Sequence, residues 1–223
     1  MIIQLNKSTD IFLLLLHPYL SKMDQLSQHI IQSAYSKFMQ FGIRSVSIDD
    51  ICNELRISKK TFYRIFSKKE DLVEATIGFQ VSFLAEKFEK MYRHKNAIDA
   101  LIVIIKEVKK HSHPDCTAYY YDLEKYYPSI FNRLKERKSE WIRLSFEKNL
   151  RQGIEEGFYR QDLDIELSSM FHAVQLNNSY KDILNHHPKI PVKRMNDFYI
   201  DMIVRLITNE KGLKYVEEQI LKD

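Results

Sequence analysis

Apolar residues return at steps of three and four along most of the chain, the spacing that builds one face of an α-helix. Leu26, Ile30, Ala34 and Phe38, with Ile31 and Tyr35 beside them, predict a first helix that opens at Met23-Asp24-Gln25. Gly42 ends it, since glycine can take the left-handed conformation a helix end often needs. Ile48, Ile51 and Leu55 mark a second, short helix, and Ser47 followed by Asp50 is a capping pair at its start. After a break at Arg56-Ile57, Ser58 stands where an N-cap hydroxyl is wanted, and residues 61–66 run on as a third helix. A fourth is predicted from Asp71 to about Arg93, through Leu72, Ala75, Phe79, Phe83 and Phe88. Asn96–Lys110 is predicted as another; its apolar run Leu101–Ile105 also suits a buried strand, but the flanks are helical. Pro128 starts a long helix holding Ile130, Leu134, Trp141 and Phe146, to about Gln152. Asp164 is a good N-cap for a helix lined by Leu167, Met170, Phe171 and Val174, and Met195, Phe198, Met202 and Leu206 line the last. The fold class expected is all-α.

Composition agrees. Five Gly and five Pro in 223 residues leave few helix breakers, and the length suits one large or two small domains with a sizeable core. A net charge of +4 is too modest to imply nucleic acid by itself; the placement of the cations carries that inference. Between positions 56 and 69 stand Arg56, Lys59, Lys60, Arg64, Lys68 and Lys69, with no Asp or Glu among them. They fall on and beside the second of two short helices joined by a tight turn. That is the helix-turn-helix unit, whose second helix lies in the DNA major groove. A duplex with about one negative charge per 1.7 Å of axis attracts such a face whatever its base sequence.

At these residues a specific resemblance enters. The run Ile57-Ser58-Lys59-Lys60-Thr61-Phe62-Tyr63-Arg64-Ile65-Phe66, then Lys69-Glu70 and Leu72, resembles the DNA-binding signature of the tetracycline-repressor (TetR/AcrR) family. The upstream helix, Gly42, Ser47 and Ile48-Asp49-Asp50-Ile51 fit the same pattern in order, so the resemblance spans roughly residues 24 to 75. It implies a three-helix DNA-binding head at 23–70, followed at 71–223 by a larger helical regulatory and dimerisation domain. Within the head, Lys59 and Lys60 can reach guanine edges or phosphates, and Thr61 and Tyr63 offer hydroxyls to phosphate oxygens. The resemblance gives Tyr63 that phosphate role. Arg64 is the side chain best shaped to read a guanine with two hydrogen bonds, and Phe62, Ile65 and Phe66 face inward as core. Ser47, Arg56, Ser58 and Lys69 complete the expected DNA-contact set.

Two positions depart from the family pattern. Arg56 stands where the turn usually has Gly; if the backbone keeps a positive φ there, a side chain costs about 1 kcal/mol. Lys68 stands where a small capping residue is usual, and Ser67 with Glu70 offers a capping box one residue early. Lys69 then still sits at a helix N-terminus, where its ammonium and the backbone N–H groups can hold a phosphate.

Residues 1–22 do not fit the regular helical pattern that begins at Met23. Ile11–Leu16 is an apolar block, but it lacks the flanks of a signal peptide; residues 1–22 read as a disordered arm or as an extension upstream of a start at Met23, the second being favoured. No run approaches the ~20 apolar residues that span a bilayer, so no membrane partner is expected. Cys52 and Cys116 make no disulfide framework, which points to a reduced, cytoplasmic protein, and Cys52 reads as a small buried hydrophobe. His111-Ser-His113-Pro-Asp-Cys116, even with His186 and His187, makes no closed ligand set, so neither metal nor cofactor is expected. The tyrosines between Thr117 and Tyr127 suit either core or a ligand cavity. Phe83, Tyr119, Tyr120, Trp141, Phe171 and His172 are the candidates to line such a cavity. Gly153–Leu167 resembles the family's connector before two final helices that pair between subunits. On that resemblance Leu167, Met170, Val174, Met195, Phe198, Met202 and Leu206 are expected at a dimer interface. Lys211–Asp223 reads as a charged tail.

The resulting expectation is a DNA-binding transcriptional regulator, a homodimeric repressor of a palindromic operator that answers to an unknown small-molecule effector. The alternative is a protein of the same build that has lost specific DNA reading and acts through a protein partner. An enzyme is not expected: the chain has no paired Glu-x-x-His units, no phosphate-binding loop, and no nucleophile with a base beside it.

Overall fold

The computed structural model describes residues 24–110, 117–177 and 189–220. Within them the chain is all helical: α1 (Gln25–Phe41), α2 (Ile48–Leu55), α3 (Lys59–Ile65), α4 (Lys69–Tyr92), α5 (Ala97–Lys110), α6 (Thr117–Tyr126), α7 (Pro128–Glu155), α8 (Ile165–Asn177), α9 (Val192–Ile207) and α10 (Glu210–Ile220). The chain divides into two compact units, one made of residues up to Lys87 with those to Arg137 of the α6–α7 stretch, the other of Phe88 onward with Lys138 to the end.

The first unit has its own core. Ile30, Ile31, Ala34 and Phe38 of α1 bury completely and meet Ile51 of α2, Phe62 of α3, Leu72 and Val73 of α4, and Tyr119 and Leu123 of α6. α1 begins on Asp24, whose carboxylate accepts the Ser27 amide at 2.7 Å, and that bond holds the Asp24 carboxyl below its usual pKa. It ends on Gly42, though not in the left-handed helical conformation expected. Gly42 has φ 81° and ψ 159°, a region that is essentially glycine-only. Cys52 is buried as expected, and burial pushes its thiol pKa up.

The second unit is built around α5, whose Ile98, Leu101, Ile102 and Ile105 pack with Phe146 and Leu150 of α7 and with Tyr199, Ile203, Val204 and Ile207 of α9. Asn96 caps α5 by accepting the Asp99 amide at 2.8 Å, so the apolar run at 101–105 is helix and not strand. α7 opens with Pro128 at its first position, where the missing N–H costs nothing. It closes in a Schellman arrangement: Phe158 N donates to Gly153 O at 3.0 Å and Gly157 N to Ile154 O at 3.1 Å, with Gly157 at φ 73°. Asp164 caps α8 through the Leu167 amide at 3.0 Å.

The C-terminal segment corrects the sequence expectation. Glu210–Ile220 is a helix and not a loose tail. Asn209 caps it by accepting the Gly212 amide at 2.9 Å, Val216 is buried, and Tyr215 Oη donates to Asp99 Oδ1 at 2.9 Å. Its spacing of Leu213 and Val216 is a short amphipathic stripe, outweighed in the sequence by the charge around it.

Candidate nucleic-acid interface

The two short helices are set by local chemistry. Ser47 and Asp50 make a full capping box for α2: Asp50 N donates to Ser47 Oγ at 3.1 Å, and Ser47 N donates to Asp50 Oδ2 at 2.7 Å. α2 closes as α7 does, with Ile57 N donating to Cys52 O at 3.0 Å and Arg56 N to Asn53 O at 3.3 Å. The left-handed residue is Arg56, at φ 53° and ψ 41°. The same helix stop therefore occurs on Gly157 and on Arg56. Only the glycine makes it without a Cβ penalty. Arg56→Gly is expected to stabilise the protein by about 1 kcal/mol, a rise of roughly 2–4 °C in melting temperature for a chain of this size. Calorimetry of the two proteins checks this; an unchanged or lower melting temperature counts against strain at Arg56.

α3 starts on Ser58, whose Oγ accepts the Thr61 amide at 3.0 Å and lies 2.9 Å from Thr61 Oγ1. Phe62 is completely buried and Phe66 nearly so, with Ile65 half-buried, which fixes the rotation of the helix. The opposite face then carries Lys59, Lys60, Tyr63 and Arg64, all exposed; the Tyr63 and Phe62 rings meet in a T-shaped pair, centroids 5.4 Å apart. A phenol braced on a buried ring, a lysine and a guanidinium on one helix face can bind phosphate oxygens and read base edges together.

The run of cations in the sequence is partly spoken for. Lys59 Nζ pairs with Asp49 at 2.8 Å and Lys68 Nζ with Glu70 at 2.7 Å. Both pairs are exposed, each worth ~0–1 kcal/mol, so a phosphate can displace the carboxylate. Lys69 is different. Its ammonium turns inward and donates to the carbonyls of Ile43, at 2.6 Å, and Val46, at 2.5 Å. Burial pulls its pKa below the usual lysine value. Arg56, Lys60 and Arg64 are exposed and make no ion pair among the described residues. The capping expectation at Lys68 is also corrected. Asp71 Oδ2 accepts the Lys68 amide at 3.2 Å, so the carboxylate comes from Asp71 and not Glu70, while Glu70 holds the Lys68 ammonium.

Of the six residues expected to line a ligand cavity, Phe83, Tyr119 and Tyr120 lie in the first unit and Trp141, Phe171 and His172 in the second. Tyr119 is completely buried in the first core, its hydroxyl 3.3 Å from Gln80 Oε1, and Tyr120 Oη accepts from Gln80 Nε2 at 2.9 Å. Phe83 lies half out of the fold on a shallow open groove that Tyr35, Ser36, Met39, Gln40 and Phe79 also line. In the second unit Trp141 packs on Phe88, centroids 5.6 Å apart. Phe171 is 72% exposed. His172 is stacked between Phe146, at 3.9 Å, and Tyr199, with Nδ1 2.7 Å from Tyr199 Oη.

Burial drives the His172 pKa down to about 4. The unfolded chain takes up a proton below about pH 6.5 that the folded chain refuses until about pH 4. The stabilisation is thus full above pH 6.5 and is lost as pH falls toward 4, by up to about 3 kcal/mol. His172→Asn, which keeps a polar atom toward Tyr199, is expected to lose less stability than wild type between pH 7 and pH 4.5 in urea titrations. Parallel losses in the two proteins contradict the assignment.

The residues expected at a dimer interface are mostly exposed on their two helices. On α8, Leu167, Met170, Phe171 and Val174 are each 45–72% exposed, while Ser169 and Ala173 face inward. On α9, Phe198, Met202 and Leu206 are 72%, 46% and 44% exposed, with Met195 half-buried before them. The segments containing His111, His113, Cys116, His186 and His187, and the N-terminal extension, lie outside the described residues. Among the described residues no three His, Cys, Asp or Glu side chains group to hold a metal, and no helix is long and apolar enough to cross a membrane.

Comparison with known proteins bears directly on this head. Residues 30–76 match the family model for bacterial regulatory proteins of the tetR family. The HTH-type transcriptional repressor KstR2 of Mycobacterium tuberculosis is 23% identical over 151 residues, covering 64% of this chain and 73% of the relative. The KstR2 repressor of Mycolicibacterium smegmatis is 20% identical over 206 residues, covering 87% and 95%. Among solved structures, a TetR-family transcriptional regulator from Cytophaga hutchinsonii shares the fold with a TM-score of 0.64 at 16% identity, over 86% of this chain and 99% of that one. A transcriptional regulator from Saccharomonospora viridis, solved in complex with choline, does so with a TM-score of 0.63 at 17% identity, over 84% and 100%. The matched residues are those that build the helix-turn-helix, and in that stretch the chain is similar to the tetR family of bacterial regulatory proteins.

Proposed function

We propose that this protein is a cytoplasmic, dimeric transcriptional repressor that binds a palindromic operator and releases it in answer to a small molecule. The observation that carries the DNA reading is the outer face of α3, where Lys60, Tyr63 and Arg64 stand exposed over a buried Phe62. Arg64 reads a guanine; Lys60, Thr61 and Tyr63 hold phosphates; Lys59 joins them once a phosphate displaces Asp49. Ser47, Ser58 and Arg56 border the same face, with the serine hydroxyls keeping acceptor and donor capacity beyond their capping bonds. Dimerisation is supported by the outward apolar stripes of α8 and α9. A two-fold axis through them makes a palindrome the natural target, with half-sites about 34–36 Å apart or a multiple of that. Effector binding rests on family likeness, and the choline complex supports it only in that the same fold accommodates a small ligand. For the effector to act, it must bind two states of the dimer unequally.

The alternative, a protein-binding relative without specific DNA reading, drew its support from Arg56 and Lys68. Both departures are accommodated locally, by the left-handed Arg56 and by Asp71, so the DNA reading is favoured. Selection of duplexes from a random pool on the full-length protein tests it. A palindrome with half-sites at that spacing is expected. Recovery of single half-sites removes the dimeric reading, and recovery of no motif removes the operator.

A further inference from the structure

The loop that joins α1 to α2 decides where the helix-turn-helix begins and at what angle, and two charged side chains from outside the loop hold its backbone. Lys69, at the start of α4, donates from Nζ to the carbonyls of Ile43 and Val46 and lies 5.8 Å from the centroid of the Phe38 ring. Asp122, buried on α6, accepts the Arg44 amide at 2.8 Å. The Arg44 guanidinium then folds over Tyr126, 4.5 Å from the ring centroid and 2.8 Å from the hydroxyl. Gly42 explains how α6 comes so close. A Cβ at Gly42 would lie 3.0 Å from Asp122 Oδ2 and 3.3 Å from Ala118 Cβ, at a φ of 81° that other residues rarely adopt. The side chains of Ile43 and Val46 are buried in the head core, so the loop is pinned by its side chains below and by its backbone groups above. Ser47 opens α2 one residue later, with no slack between clamp and helix.

We propose that Lys69 and Asp122 are positioning residues for DNA recognition: together they fix the 42–46 loop, and through it the presentation of α2 and α3, and Lys69 makes no phosphate contact. A lysine has three donors, and two are already engaged with carbonyls inside the fold. Burial disfavours the charge there and the Asp122 and Asp50 carboxylates offset part of that cost, while moving the ammonium out to a phosphate leaves two carbonyls to find new partners. The inference rests on the DNA reading proposed for α3 and departs from the phosphate role that sequence resemblance suggests for Lys69.

The test is fluorescence anisotropy of full-length wild type, Lys69→Met, Asp122→Ala and Lys60→Ala on the selected duplex and on a scrambled one, over a salt series. Loss of a phosphate contact lowers the slope of log affinity against log salt by about 0.9. Lys69→Met and Asp122→Ala are both expected to cut the ratio of specific to non-specific affinity at least tenfold with that slope unchanged, whereas Lys60→Ala lowers the slope. A fall of about one in the Lys69→Met slope, or an unchanged ratio in either variant, overturns the proposal. If Lys69→Met melts the head, Asp122→Ala carries the same comparison, since a carboxylate adds nothing to phosphate binding. Amide hydrogen exchange at Arg44 is the second reading: it accelerates in both variants if the clamp exists and stays as in wild type if it does not. That measurement needs no DNA. Failure of wild type to prefer any duplex therefore sinks the operator reading and leaves the clamp to be judged by exchange.

Discussion

Phe198→Glu is expected to turn the protein into a folded monomer and to abolish high-affinity operator binding. α9 is apolar on two faces: Tyr199, Ile203, Val204 and Ile207 are buried in its own unit, while Phe198, Met202 and Leu206 point out. Charged residues such as Asp201 and Arg205 lie between these two stripes, so the outer one is a second apolar stripe that its own unit leaves uncovered. Its outer face continues the stripe type seen on α8, where Leu167, Met170, Phe171 and Val174 are exposed at the i, i+3, i+4, i+7 spacing. Covering each such side chain is worth about 1.5–3 kcal/mol of apolar transfer, before the cost of association. A carboxylate placed among them loses that gain and adds desolvation of a charge with no partner, several kcal/mol more. Phe198 is 72% exposed, so the same change leaves the fold of one subunit nearly untouched. Sedimentation velocity with circular dichroism, followed by anisotropy on the selected duplex, reads all three effects. A dimer that persists places the subunit contact elsewhere.

Gly153→Ala is expected to destabilise the second unit by about 2–4 kcal/mol, against the usual gain of about 1 kcal/mol for that exchange inside a helix. The added Cβ would lie 2.1 Å from Tyr159 Cδ2 and 2.2 Å from Cε2. The ring cannot move aside easily. Tyr159 is 1% exposed, and its Oη lies 2.9 Å from Asn149 Oδ1 and 3.2 Å from the Ala97 carbonyl oxygen. Shifting it breaks a buried hydrogen bond and opens a void between α5 and α7, so the loss approaches that of deleting a large aromatic side chain. Thermal melting should fall by about 5–15 °C. An equal or higher melting temperature means the ring finds another seat.

What the sequence shows most plainly is whatever depends on neighbours along the chain. The capping box of Ser47 and Asp50, the break at Arg56, the inward turn of Phe62 and Phe66, and the Asp164 cap are all decided within four residues, and each is where the pattern puts it. Helix spacing likewise separates the buried from the exposed face of α9. What the sequence hides is contact across long separations. Asp122 reaches back 78 residues to the Arg44 amide, and Tyr119 joins the core of the head beside α1. Nothing in a Tyr-rich stretch tells which ring is core and which is surface: Tyr119 is completely buried while its neighbour Tyr120 is exposed. Charge misleads in both directions. Counting cations at 56–69 treats Lys69 as outward when two carbonyls draw it in, and the charges around Leu213 and Val216 mask a packed helix. A lysine two residues before an acidic capping group, at a helix start behind a buried loop, was the available hint for Lys69.

That α3 reads base sequence is the central claim, and Arg64 is where it is most exposed to test. The measurement is anisotropy on the selected operator and on duplexes carrying each base pair changed in turn, with wild type, Arg64→Ala and Tyr63→Ala. Arg64→Ala is expected to lose about 10–100-fold on the operator, equivalent to about 1–3 kcal/mol, and to become indifferent at one position in each half-site while the other preferences stand. Tyr63→Ala weakens every duplex by a similar factor. If Arg64→Ala instead weakens all duplexes alike and keeps every base preference, Arg64 is a phosphate contact and the reading of sequence by this helix face is contradicted.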